Sequence, residues 1–151
     1  MAGQIPLDTQ YYPSDFNLLT VILDNGSTGQ NFALLYADRN MVIDSVMLYV
    51  GDEGTGAETL KFIKESTIGL PTFAGTGTST VMIDTITLST TTAEYPRRHQ
   101  TGVTTSGNLI GLVFAAGTNV LDKGSTLWLA SNSALAGFGV VTIQIRFRSQ
   151  L

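Results

Sequence analysis

Which reactions this chain can perform is limited by its single histidine and its complete lack of cysteine. Without a thiol there is no cysteine nucleophile, no disulfide and no thiolate-bound zinc. A lone imidazole, His99, excludes any multi-histidine metal centre, unless subunits share a site across a symmetry axis. His99 sits in the polar segment Glu94-Tyr-Pro-Arg-Arg-His-Gln-Thr-Gly102 beside Arg97 and Arg98. That segment is expected to be a loop, with His99 solvated or paired to a carboxylate.

The remaining chemical motifs are thin. No nucleophile elbow, phosphate-binding loop or zinc-binding His-Glu-x-x-His stretch occurs. Gly51, Gly54 and Gly56 lack the strand-turn-helix setting of a dinucleotide fingerprint, and Asp52 and Glu53 lack the alternating acids of a calcium loop. Two carboxylates could in principle flank a glycosidic bond. Sugar clefts, however, are usually lined with aromatic platforms, and Trp128 is the only tryptophan. It lies in the apolar run Leu127-Trp-Leu-Ala130, which suits packing better than a sugar platform. The expectation is no catalytic site, no cofactor and no resident metal, with a glycan contact through Trp128, Tyr95 or the Tyr11-Tyr12 pair as the alternative.

Strands are what the sequence provides to position such residues. Of 151 residues, 43% are hydrophobic and 13% charged, which excludes disorder. Eight apolar or alternating runs are separated by Gly-, Asn- and Thr-rich turns: 18–23, 32–36, 41–50, 58–64, 81–88, 109–114, 127–130 and 138–148. The last is the clearest, with Val141, Ile143, Ile145 and Phe147 on one face and Thr142, Gln144, Arg146 and Arg148 on the other. Asn25-Gly26-Ser27 reads as a turn rather than a glycosylation site. No amphipathic helix is evident. The expected architecture is all-β, a two-sheet antiparallel sandwich of about eight strands over residues 17–151. It is preceded by an extended N-terminal arm, residues 1–16, which carries Tyr11 and Tyr12 as candidate contacts.

Charge narrows the partners. The net charge is −4, so no nucleic-acid footprint is present. No apolar stretch approaches the roughly 18 residues of a membrane span, and no basic-then-apolar leader opens the chain, so a soluble protein is expected. Eleven of the twelve Asp and Glu precede Pro96, whereas five of the eight Lys and Arg follow it. The two parts attract, either within one subunit or between subunits. Residues 41–50 and 18–23 are apolar on both faces, when a free-standing sandwich strand normally keeps one polar face. Loops, the N-terminal arm or a second subunit must therefore cover the extra face.

Met41 through Phe62, with its Gly-Asp-Glu-Gly-Thr-Gly loop, together with Leu121-Asp-Lys-Gly-Ser-Thr-Leu-Trp-Leu-Ala and the closing Phe-Gly-Val-Val-Thr-Ile-Gln-Ile-Arg-Phe, resembles small phage virion β-sandwiches. These are jelly-roll-like capsid decoration, or cement, proteins and the head-like domains of tail and head fibres. The resemblance spans about residues 40–148 and rests on strand and turn patterns. It implies a non-enzymatic homotrimer on the capsid surface, made in the host cytoplasm and bound to the major capsid or other virion proteins. A fibre domain that binds a receptor or glycan is the alternative it implies. The candidate contact residues are Tyr11, Tyr12, Tyr95, Arg97, Arg98, His99 and Trp128.

Overall fold

The computed structural model describes residues 17–23, 31–54, 58–88, 94–133, 138 and 140–150. The N-terminal arm with Tyr11 and Tyr12, and the Asn25 turn, lie outside the described residues. Ten strands are present among those described: β1 (Asn17–Leu23), β2 (Asn31–Tyr36), β3 (Met41–Val50), β4 (Glu58–Glu65), β5 (Ser79–Leu88), β6 (Arg97–Thr101), β7 (Leu109–Leu112), β8 (Val120–Leu121), β9 (Thr126–Ser131) and β10 (Val141–Ser149). None of the described residues forms an α-helix, so the all-β expectation holds. The count is ten rather than about eight, because β6 and β8 have no apolar run to announce them.

The strands form two sheets. The smaller has the order β2-β9-β4-β5; the larger has β1-β10-β3-β6-β7, with β8 also paired to β3. Every pair is antiparallel except β6 with β7. The pairings are nested: β1 with β10, β2 with β9, β3 with β6 and β4 with β5. Early strands are thus matched with late ones, and most of the structure is a single antiparallel ribbon wound onto two layers. One core, including Leu48, Ile143 and Ile145 from the larger sheet and Leu60, Phe62 and Leu129 from the smaller, joins the layers in a sandwich-like arrangement. Each such side chain, removed from water, stabilises the fold by about 1.5–3 kcal/mol.

A bulge corrects the two-faced reading of residues 41–50. Across from β10, Arg146 pairs with Ser45 and Phe147 with Ile43, which leaves Asp44 as an extra residue on β3. The bulge inverts the alternation at that point. Met41 and Ile43 therefore join Val46, Leu48 and Val50 in the core, and only Val42, Met47 and Tyr49 remain as the apolar part of the outer face. Thr101 repairs the ladder beside the bulge: its Oγ1 accepts from the Val46 amide at 3.0 Å.

The outer faces of the two sheets differ. On the smaller sheet, Ile63 lies between Trp128 and Val81 and is completely buried. The segment 66–78 folds over this region. Gly75 packs on Val81 so closely that a Cβ there would collide, the Phe73 ring lies 4.7 Å from Lys61 Nζ, and the Thr72 amide donates to Ser79 Oγ at 2.9 Å. Its hinge is Glu65, whose carboxylate accepts from Ser79 Oγ at 2.6 Å and from the Thr67 amide and hydroxyl at 3.0 and 2.8 Å. No comparable segment among the described residues lies over β1, β10 and β3.

Candidate functional site

All five residues of β6 are polar, so its register decides what each one can do. His99 is paired with Leu48 on one side and Ile110 on the other, and shares their row. Leu48 is a core residue, so His99 faces the interior. The expectation of a loop with a solvated or carboxylate-paired histidine is corrected here: His99 is 2% exposed, and neither ring nitrogen has a hydrogen-bond partner. Burial, followed by the positive charge of Arg97, lowers its pKa to about 4. The imidazole is neutral at pH 7.

Arg97, His99 and the edge of β5 enclose a cleft of about 520 Å³. Its walls are Asp84 to Thr87 of β5, Arg97 and His99 of β6, and residues 110–115, which run from β7 toward β5. That segment closes one end, because the Ala115 amide donates to the Met82 carbonyl at 2.9 Å. Each charge on the wall has a local counterpart. Arg97 Nη1 donates to Glu94 Oε1 at 2.7 Å, and Asp84 lies 3.3 Å from Lys61 Nζ. Asp84 also accepts from Thr85 Oγ1 at 2.8 Å, and this bond, opposed by burial and helped by Lys61, holds its pKa below the usual carboxylate value. Thr85 has φ 39°, a left-handed conformation that a β-branched residue rarely adopts. Backbone strain of this kind tends to collect at binding rims.

Arg98, one residue along, points the opposite way. It is exposed on the outer face of the larger sheet, across from Tyr49. A depression of about 290 Å³ there is lined by Leu18, Ser45, Met47, Arg98, Gln100, Gln144 and Arg146. Arg98 and Arg146 take part in no ion pair among the described residues, unlike Arg148, whose Nε donates to Asp44 at 3.1 Å. Exposed Ile22 and Tyr49 both pair with Thr142, so Ile22, Thr142, Tyr49 and Arg98 form one continuous row across four strands. Leu18 lies on the same outer side of β1, and Val140 is exposed just before β10.

The other candidates are dispersed. Trp128 lies on the outer face of the smaller sheet, half-buried, with Nε1 enclosed and unpartnered. Tyr95, preceding a cis bond to Pro96, packs against the core. The structure therefore brings together Arg97 and His99 but not Arg98, Tyr95 or Trp128. The contributions of Asp84, Thr85 and residues 110–115 to the cleft depend on non-local pairing, and no local motif identifies them. Among the described residues no three His, Asp or Glu side chains converge as a metal site requires, and no helix is long and apolar enough to cross a membrane. No family model matches this chain, and no curated protein matches it.

Proposed function

We propose that this chain is a structural subunit of a virus particle, of the capsid decoration type, which assembles as a homo-oligomer through the outer face of its larger sheet. The observation that carries this reading is that Leu18 and Ile22 of β1 are 57% and 61% exposed. On the opposite side of the molecule the equivalent apolar residue, Ile63, is wholly buried. Among the described residues one sheet is covered by a loop and the other is not, and an uncovered apolar face of this kind suits a neighbouring copy. Arg98 and Arg146 frame the bare face, and the acidic residues concentrated before Pro96 offer a complement on a second copy.

The nested pairing favours a jelly roll. With β7 and β8 set aside as additions at the edge, eight strands remain, paired first with eighth, second with seventh, third with sixth and fourth with fifth. That is the order expected when a long hairpin is rolled into two four-stranded sheets. A trimer with several shell contacts gains strength from avidity, since each later contact forms at high effective concentration. The role is non-enzymatic: His99 has no carboxylate to orient it, and the wall charges are already paired.

Sedimentation at micromolar concentration tests this. The full chain should run as an oligomer. Ile22→Glu with Leu18→Glu should give monomers that stay folded and melt cooperatively, because neither side chain is in the core. A wild-type monomer, or an oligomer indifferent to both substitutions, refutes the assignment of this face.

A further inference from the structure

Burying the outer face of the larger sheet against a neighbour takes two arginines out of water with it. Arg146 is the cross-strand neighbour of Leu18, and Arg98 lies in the row of Ile22, Thr142 and Tyr49. Both are exposed and line the same depression, with Gln144, Met47 and Gln100 in the row between them and no carboxylate in its wall. Asp44, next to Ser45 on β3, is held by Arg148 at 3.1 Å. A charge that loses its hydration without gaining a partner is costly. Assembly through this face therefore needs a carboxylate from the neighbour at this spot.

We propose that Asp52 of one copy supplies it, pairing with Arg98 and Arg146 of the next. The pairing rests on assembly through the outer face of the larger sheet and adds the contact that fixes how two copies are aligned.

Asp52 is reached by elimination among the described acids. Asp38, Asp44, Asp84, Asp122 and Glu94 are already in ion pairs with Arg39, Arg148, Lys61, Lys64 and Arg97. Glu58 and Glu65 are buried, and each accepts from a serine hydroxyl. Asp52 is exposed and takes part in no ion pair among the described residues, and Glu53 beside it adds a second negative charge. The loop that carries Asp52 is tied to the same sheet: the Gly51 amide donates to the Val140 carbonyl and the Asp52 amide to the Phe138 carbonyl, both at 3.3 Å. Val140 is exposed, as Leu18 and Ile22 are, so this loop stands at the margin of the apolar face. Within one chain Arg98 lies in the row of Tyr49, three residues and about 10 Å short of Asp52 along the strand, which leaves the pairing to a second copy. Arginine suits the role because its fork of N–H donors can hold a carboxylate through two bonds.

Charge exchange within the full chain tests this by sedimentation over a range of concentrations. Asp52→Lys alone, and Arg98→Glu with Arg146→Glu, should each weaken self-association at least about tenfold, because like charges then face each other across the interface. A chain carrying all three substitutions has the pair reversed and should regain the wild-type association to within about threefold. Asp52→Asn, which only removes the charge, should give a smaller loss, and a thermal melt checks that each variant is folded. An oligomer that is lost in Leu18→Glu with Ile22→Glu but is indifferent to Asp52→Lys overturns the pairing and leaves the assembly face standing. So does a triple variant no tighter than its parents. Loss in the arginine variant alone shows that a different carboxylate fills the depression, which also overturns the assignment of Asp52. A wild-type monomer overturns the pairing and the face together.

Discussion

Replacing His99 with leucine should make this protein more stable, and the gain should grow as the solution is acidified. The imidazole is 2% exposed, with two unpaired nitrogens. Leaving a buried polar group unsatisfied costs about 1–3 kcal/mol, and leucine of similar volume removes that cost. The pH term follows from linkage. In the unfolded chain the ring titrates near its ordinary value of 6.5, whereas in the fold burial holds it at about 4. A base whose folded pKa is depressed contributes nothing adverse above 6.5. Below that the unfolded chain takes up a proton that the folded one refuses, and stability falls until about pH 4. At 1.36 kcal/mol per unit, the wild type should lose about 2 kcal/mol between pH 6.5 and 5 through this residue alone. Urea unfolding, followed by the fluorescence of the single tryptophan at pH 7, 6 and 5, measures both terms. His99→Leu should have the higher midpoint at pH 7 and a nearly flat profile down to pH 5. A variant less stable at pH 7, or profiles that run parallel from pH 7 to 5, would show that the imidazole is satisfied in the fold.

Two further predictions concern other parts of the fold. Glu65 has a pKa lowered to about 2, first by the Ser79 hydroxyl and then by Thr78, with Thr67 adding to both. Its contribution is complete above about pH 4.5 and is lost as pH falls toward 2, so Glu65→Gln should cost about 1–2 kcal/mol at pH 7 and nothing near pH 2, measured by urea unfolding across that range. The flap 66–78 should loosen with it, which hydrogen exchange at the Thr72 and Ser79 amides would reveal. Gly54→Ala would drive a methyl group into the ring of Phe138, a fully buried core residue. Overpacking of this kind costs about 1–3 kcal/mol, visible as a lower thermal midpoint.

The fold class and most strands were legible because their residues alternate or cluster as buried β-structure does. Val141 to Phe147 announced β10 in full, and its polar partners do face outward. The failures have physical causes. β6 is unreadable because its inward residues are Arg97, His99 and Thr101 rather than aliphatics, so the period of two carries no hydrophobic signal. Residues 41–50 read as apolar on both faces because the bulge at Asp44 changes phase without any change of composition. The cleft was half legible: Arg97 and His99 stood out by type, but Asp84 and Phe114 reach it only through pairings that no local window contains. Arg98 shows the limit of adjacency, since one step along a strand separates an interior wall from an exterior face.

The matching of β1 with β10 sets a rule for how this polypeptide can be made. Emerging from the ribosome, β1 has no partner until β10 has been translated, whereas the pairs β2–β9, β3–β6 and β4–β5 are all complete in the chain before then. Its oily residues, Leu18 and Ile22 among them, stay available throughout that wait. Synthesis speed and chaperone supply, rather than final stability, should therefore govern the yield of soluble product, and crowded nascent chains should tangle at this edge first.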